Sequence, residues 1–167
     1  MNRKICIFIG SRANYSSIKS VMTAIKNHKK LQLQLIVGAS AILERFGNVS
    51  QLIKKDGFKI DKKINMLLEG ANPETMAKST GLGLIEMSSA LESLKPDIVV
   101  TVGDRFETMS TTLAAAYMNI PLAHTMGGEV TGTIDESIRH AVTKFSNIHF
   151  PASQDAKDRI IKLGEFR

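Results

Sequence analysis

Little in this sequence can form a covalent staple, because its 167 residues include one cysteine, Cys6. A single thiol excludes any disulfide within the chain, and its place in the apolar run KICIFIG reads as a buried, inert side chain suited to a reducing compartment. Tryptophan is absent and aromatic residues reach only 5%, so the stacking platforms that single-stranded nucleic acids need are poorly supplied. No apolar run approaches the roughly 20 residues of a bilayer-crossing helix, and a strand begins too early to leave room for a signal peptide. A cytoplasmic protein without a membrane partner is expected. Linkers, repeats and low-complexity segments are also missing. With 43% hydrophobic and 23% charged residues, the composition fits one ordinary globular domain.

Acidic residues are outnumbered, 16 against 22 basic ones, giving a net charge of +6. Such a balance suits nucleic acid, a membrane surface or an anionic small molecule. Much of the excess lies in KNHKK (26–30) and KKDGFKIDKK (54–63), at the ends and turns of expected elements and without interleaved aromatics. These lysines read as solvated faces, and no nucleic-acid partner is expected.

Apolar runs of strand length alternate with stretches of helical period. KICIFIG is followed by a helix from Tyr15 to His28 with Ile18, Val21, Met22 and Ile25 on one face. LQLQLIV is a second strand, a short helix spans Ser50 to Asp56, and FKIDKKI is a weaker third strand. Asn72 then caps a long helix with Pro73 at its first position, and Leu84, Met87, Leu91 and Leu94 form its core stripe. Pro96 ends it. DIVVTV, IPLAHT and NIHF are further strands, each followed by a helix. Continuous apolar strands alternating with helices predict an α/β fold with a doubly wound, Rossmann-like parallel sheet.

Ligands of such sheets sit outside the carboxyl ends of the strands, where helix N-termini present N–H groups to anions. Three strand-to-helix loops carry polar residues there: GSRANY, GDRFE and HTMGGEVTGTIDE. The first has one glycine where a dinucleotide fingerprint needs three, which disfavours NAD. Gly81 and Gly83 form a G-x-G only inside a helix. Arg12 is either a phosphate contact or a surface residue, and Asn14 reads as the N-cap of the first helix. Asp104 and Glu107 have capping-box spacing, and Asp104 also stands as a proton or hydroxyl acceptor. In the third loop, Gly127 and Gly128 permit close backbone approach, Thr133 and Glu136 form a second capping box, and Glu129 caps nothing evident. A helical wheel places Ile138, Ala141, Val142 and Phe145 on the buried face of the following helix. Its solvated face would hold Asp135–Arg139 and Glu136–His140 as i, i+4 pairs. His124 is either a neutral buried residue or faces a ligand. Histidines and acids lack compact metal-ligand spacing, and no serine or cysteine has a base partner, so neither a metal nor a covalent intermediate is expected.

GDRFE followed by HTMGGEVTGTIDESIRHAVTK, with SRANY upstream and KLGE at the close, resembles the hydrolysing UDP-N-acetylglucosamine 2-epimerases. The resemblance implies a glycosyltransferase-B-like enzyme of two Rossmann-like domains, with residues 1–167 as the N-terminal one and the nucleotide-binding C-terminal domain outside this chain. It implies a UDP-sugar substrate, no cofactor, a homo-oligomer (dimer or tetramer), and release of N-acetylmannosamine and UDP for sialic-type acid synthesis. Asp104, Glu129 and Asp135 become the acid/base residues; Arg12, Asn14, Arg105, His124, Arg139 and His140 become substrate contacts. Three positions depart from the commoner pattern. Asn14 stands where many members have Asp, Ala41 where histidine is frequent, and Met126 replaces the glutamate of H-x-E-G-G-E. Methionine transfers no proton, so either Glu129 or the other domain supplies that function, or the chain belongs to a subgroup with a modified substrate or mechanism, a UDP-sugar with a second acetamido group being one such substrate. A non-hydrolysing 2-epimerase and a non-catalytic half-enzyme that binds or assembles are the alternative readings.

Overall fold

The computed structural model describes residues 2–166. In chain order the elements are β1 (Arg3–Ile9), α1 (Arg12–Asn27), β2 (Leu31–Gly38), two 3-10 turns (Ala39–Ile42 and Glu44–Phe46), α2 (Val49–Lys55), β3 (Lys62–Ile64), α3 (Pro73–Leu94), β4 (Ile98–Val102), α4 (Phe106–Tyr117), β5 (Leu122–Thr125), α5 (Ile134–Phe145), β6 (Ile148–Phe150) and α6 (Gln154–Lys162). All five strand pairings are parallel, and the sheet order is β3-β2-β1-β4-β5-β6. This is the doubly wound order expected, with its reversal between β1 and β4.

Alternation along β1 divides the core. Ile5, Ile7 and Ile9 face one layer with Tyr15, Ile18, Met22 and Ile25 of α1 and Ile53 of α2. Cys6 and Phe8 face the other, with Met87 and Leu91 of α3 and Phe106, Ala114 and Ala115 of α4. Burial pushes the Cys6 thiol up to about 12, with Asp61 adding to it, so the thiolate is scarce and the residue is inert. Val21, expected on the core face of α1, is instead largely exposed.

Asn72 caps α3 as expected, and Thr75 completes a capping box with it. Gly83 belongs to packing. A Cβ there would sit 2.7 Å from Ser110 Oγ, and that hydroxyl donates to the Thr80 carbonyl at 2.8 Å, so α3 and α4 meet through a residue without a side chain.

The third strand is shorter than FKIDKKI. Phe58 turns into the core, and Asp61 holds the approach to β2 by accepting from Leu35 N at 2.9 Å while its own N–H donates to the Leu35 carbonyl. A side chain replaces ladder bonds there, so regular pairing begins only at Lys62.

Candidate functional site

The loops after β1, β4 and β5 converge at the carboxyl edge where the sheet order reverses. Asn14 binds the first two together. Its Oδ1 accepts from Gly10 N at 3.2 Å, and its Nδ2 donates to the Val102 carbonyl at 3.3 Å. Asn14 is therefore not the α1 cap; Ser11 is, accepting from Asn14 N at 3.2 Å. An aspartate at this position could keep the Gly10 bond but has no proton for Val102, so the amide suits this junction.

His124 ties β5 to the next loop. Its Nε2 lies 2.8 Å from the Gly103 carbonyl, which can only accept, so Nε2 carries the proton. Nδ1 is buried without a partner, which makes the ring neutral. Burial drives its pKa from 6.5 down to about 4; the Gly103 bond opposes this and His149 reinforces it. An unfolded ring thus binds a proton near 6.5 that the folded ring refuses until about 4. Its stabilising contribution is complete above that upper value and is lost as pH falls through the window. At about 1.4 kcal/mol per unit, wild type should lose about 2 kcal/mol more than His124→Asn between pH 7 and 5 in urea unfolding, other titrating groups being shared by both proteins. Equal losses would contradict the neutral, buried ring.

Arg139 joins the last two loops. Its side chain is 5% exposed; Nη2 forms an ion pair with Asp104 Oδ2, and Nη1 donates to the Glu129 carbonyl at 2.5 Å. This overturns the expected solvated face of α5. Arg139, Val142 and Thr143 are the buried residues, whereas Ile134 is 62% and Phe145 45% exposed. Burying a guanidinium is tolerated because a carboxylate and a carbonyl both meet it. The Asp135–Arg139 pair is therefore not formed, while Glu136 and His140 do approach to 3.7 Å. Glu136 also accepts from the N–H groups of Thr131 and Gly132, at 2.7 and 2.6 Å, which lowers its pKa. Thr133 sits at the N-cap without a side-chain capping bond, its hydroxyl lying 3.4 Å from that of Thr131 instead, so the box expected there becomes an anchor one turn earlier.

Glu129 does touch a cap. Its Oε1 is 3.4 Å from the hydroxyl of Ser153, the α6 N-cap, which in turn accepts from Ala156 N. Arg159 of α6 donates to the Gly128 carbonyl at 3.1 Å. Helix α6 therefore holds the glycine pair from outside, a contact that the sequence signals only as a serine before a polar helix.

The Asp104–Glu107 capping box is absent, since Arg105 occupies the α4 N-cap position and makes no side-chain cap. Glu107 instead turns under the sheet edge, 1% exposed. Arg105 borders a cavity of about 670 Å³ that also takes in Ala39, Phe46, Leu67, Met76 and Phe106. Arg12 is exposed and directed toward Gly47, where a Cβ would lie 3.6 Å from its Nη1. Asp135 stands half-buried in the first turn of α5, and His140 lies one face away from Arg139. So Arg139 bonds Asp104 and the Glu129 carbonyl, His124 holds the Gly103 peptide beside Asp104, and Arg12, Arg105, Asp135 and His140 lie on the same loops or the helices that follow them. Among the described residues, no cluster of three or more His, Cys, Asp or Glu is arranged to hold a metal, and no helix is long and apolar enough to cross a membrane.

Comparison with known proteins gives a concordant picture. The family model described as UDP-N-acetylglucosamine 2-epimerase matches residues 23–167. A hydrolysing GDP/UDP-N,N'-diacetylbacillosamine 2-epimerase of Campylobacter jejuni is 42% identical over 98% of this chain and 42% of its own. A hydrolysing UDP-N,N'-diacetylbacillosamine 2-epimerase of Legionella pneumophila is 37% identical over 99% and 44%. The chain thus spans about half the length of the curated relatives it matches. The crystal structure of UDP-GlcNAc 2-epimerase from Neisseria meningitidis bound to UDP-GlcNAc superposes with a TM-score of 0.85 over 98% of this chain and 44% of that one; at 21% identity it speaks to the fold.

Proposed function

We propose a reaction from one premise: this chain belongs to the UDP-N-acetylglucosamine 2-epimerase family, whose model covers residues 23–167. The reaction is hydrolysing 2-epimerisation of a UDP-sugar, with this chain as the N-terminal of two Rossmann-like domains that enclose the substrate. Its support is the bonded group Asp104–Arg139–Glu129 at the carboxyl edge, together with the hydrolysing designation of both relatives. A base removes the sugar C2 proton while the C1–O bond breaks and its electron pair leaves with UDP. Water then adds its oxygen to C1 and a proton arrives at C2 on the opposite face, releasing the free 2-epimer.

Asp104, Glu129 and Asp135 divide the proton transfers. Arg139 holds one oxygen of Asp104, which leaves the other for the ligand, and Arg12 and Arg105 supply cationic contacts for the diphosphate. His124, Asn14 and His140 orient this framework through the loops. Met126, 41% exposed in the same loop, cannot carry a proton, so the remaining carboxylates must. The net charge of +6 suits an anionic substrate. A 2,4-diacetamido UDP-sugar is the second reading for the substrate, favoured by the names of both relatives. This role fits cytoplasmic synthesis of sialic-type acids by a homo-oligomer.

Proton NMR in heavy water tests the proposal, using UDP-N-acetylglucosamine and UDP-N,N'-diacetylbacillosamine with the 167-residue chain and any longer product of its reading frame. Free 2-epimer and UDP, with deuterium at C2, are expected. UDP-linked product would instead mean a non-hydrolysing epimerase, and no turnover of either sugar by any product would overturn the assignment.

A further inference from the structure

Glu107 has no evident reason to be where it is. It occupies the first turn of α4, where a carboxylate is welcome at the surface, yet its side chain is 1% exposed and among the described residues neither oxygen makes a well-formed hydrogen bond. An apolar residue of similar size would pack there without the penalty of removing a carboxylate from water. The end of β1 even leaves room for it. A Cβ on Gly10 would stand 2.7 Å from Glu107 Cγ and 3.1 Å from Oε1, and the Gly10 peptide is fixed by Asn14, Ser40 and Ala41.

Among the described residues, one cation approaches this carboxylate: Arg105 Nε lies 3.3 Å from Oε1. The arginine's side chain remains 51% exposed, its guanidinium centred 5.8 Å from the Phe106 ring and bordering the large cavity. A guanidinium engaged through Nε keeps its two terminal nitrogens for another anion, and the Phe106 ring restricts its swing. Burial raises the Glu107 pKa, Arg105 and its own backbone N–H lower it, and Asp135 and Asp104 raise it again. Glu107 therefore lies within the field of Asp104 and Asp135, two of the three proposed acid/base carboxylates, without being a surface group itself.

We infer that Glu107 is a positioning residue whose buried carboxylate aims Arg105 into the cavity to meet the diphosphate of a nucleotide-sugar. The inference rests on the proposed reaction for the identity of the anion, but the Glu107–Arg105 link stands independently. In the ¹⁵N-labelled 167-residue chain, the Arg105 Nε–H resonance, assigned by its loss in Arg105→Gln, should exchange faster in Glu107→Gln than in wild type, because the ion pair that holds it is gone. That variant keeps the side chain's shape, and its thermal midpoint serves as the folding control.

In whichever product of the reading frame turns over UDP-sugar, Glu107→Gln and Arg105→Gln should each raise KM about tenfold with kcat within about threefold. The double variant should be no worse than Arg105→Gln alone, because both changes remove one device. A purely structural Glu107 would leave the Nε–H signal and KM unmoved, and additive losses would show two independent roles; either result overturns the inference. If wild type turns over no UDP-sugar, the proposed reaction falls, and the Nε–H exchange alone decides whether Glu107 holds Arg105.

Discussion

Arg139→Met is expected to lower the free energy of unfolding by about 3 kcal/mol, one of the largest losses available to a single residue outside the apolar core. Methionine retains most of the length and apolar contact of the arginine stem, so the loss isolates the head group. That head group meets Asp104 Oδ2 with one nitrogen and the Glu129 carbonyl with the other. Removing one partner of a buried pair typically costs about 3–5 kcal/mol, because the remaining charge has lost its compensation. Asp104 is 22% exposed, so water can reach it in part, which places the expected value at the lower end. The double variant Asp104→Asn/Arg139→Met should recover about half the loss, since no charge is then stranded. Urea unfolding of the four proteins gives the coupling directly. A loss under about 1 kcal/mol for Arg139→Met, or strict additivity in the double variant, would show that the pair does not hold the two loops together.

The same pair marks where the sequence was legible and where it was not. The central strands followed from runs such as KICIFIG and DIVVTV, because a strand buried on both faces must be apolar whatever surrounds it. The α3 cap at Asn72 was legible for a similar reason, its partners lying within one turn. The buried face of α5 was not. A wheel ranks residues by hydrophobicity, but Arg139 is drawn inward by a carboxylate 35 positions earlier, and the apolar Ile134 and Phe145 are left outside. The Asp104–Glu107 spacing misled in the opposite way. A local pattern matched a cap, while the actual chain starts α4 after Arg105 and sends Glu107 beneath Gly10. The three polar loops were correctly placed at one edge of the sheet; which side chain in them meets which depends on contacts between loops far apart in sequence.

Gly128→Ala should destabilise the protein by about 3–4 kcal/mol, and Gly132→Ala by only about 1 kcal/mol, although both glycines lie in the left-handed region at φ +80° and +71°. An alanine pays the conformational penalty at either position, so that part cancels in the comparison. The surroundings differ. A Cβ on Gly132 meets nothing within 4 Å, whereas one on Gly128 would run into the Ala156 carbonyl, 2.8 Å from its carbon and 3.0 Å from the Cα. These are backbone atoms in the first turn of α6, which cannot swing aside as the tip of a side chain can. The helix would have to retreat, carrying away Ser153 from Glu129 and Arg159 from the Gly128 carbonyl. Thermal or urea unfolding of the two variants therefore measures how firmly α6 holds the loop that presents Glu129. A gap of about 2 kcal/mol would mean that a helix following β6 sets this carboxylate's position. Equal losses would mean that the loop's own turns place it, and that α6 rests against a shape already formed.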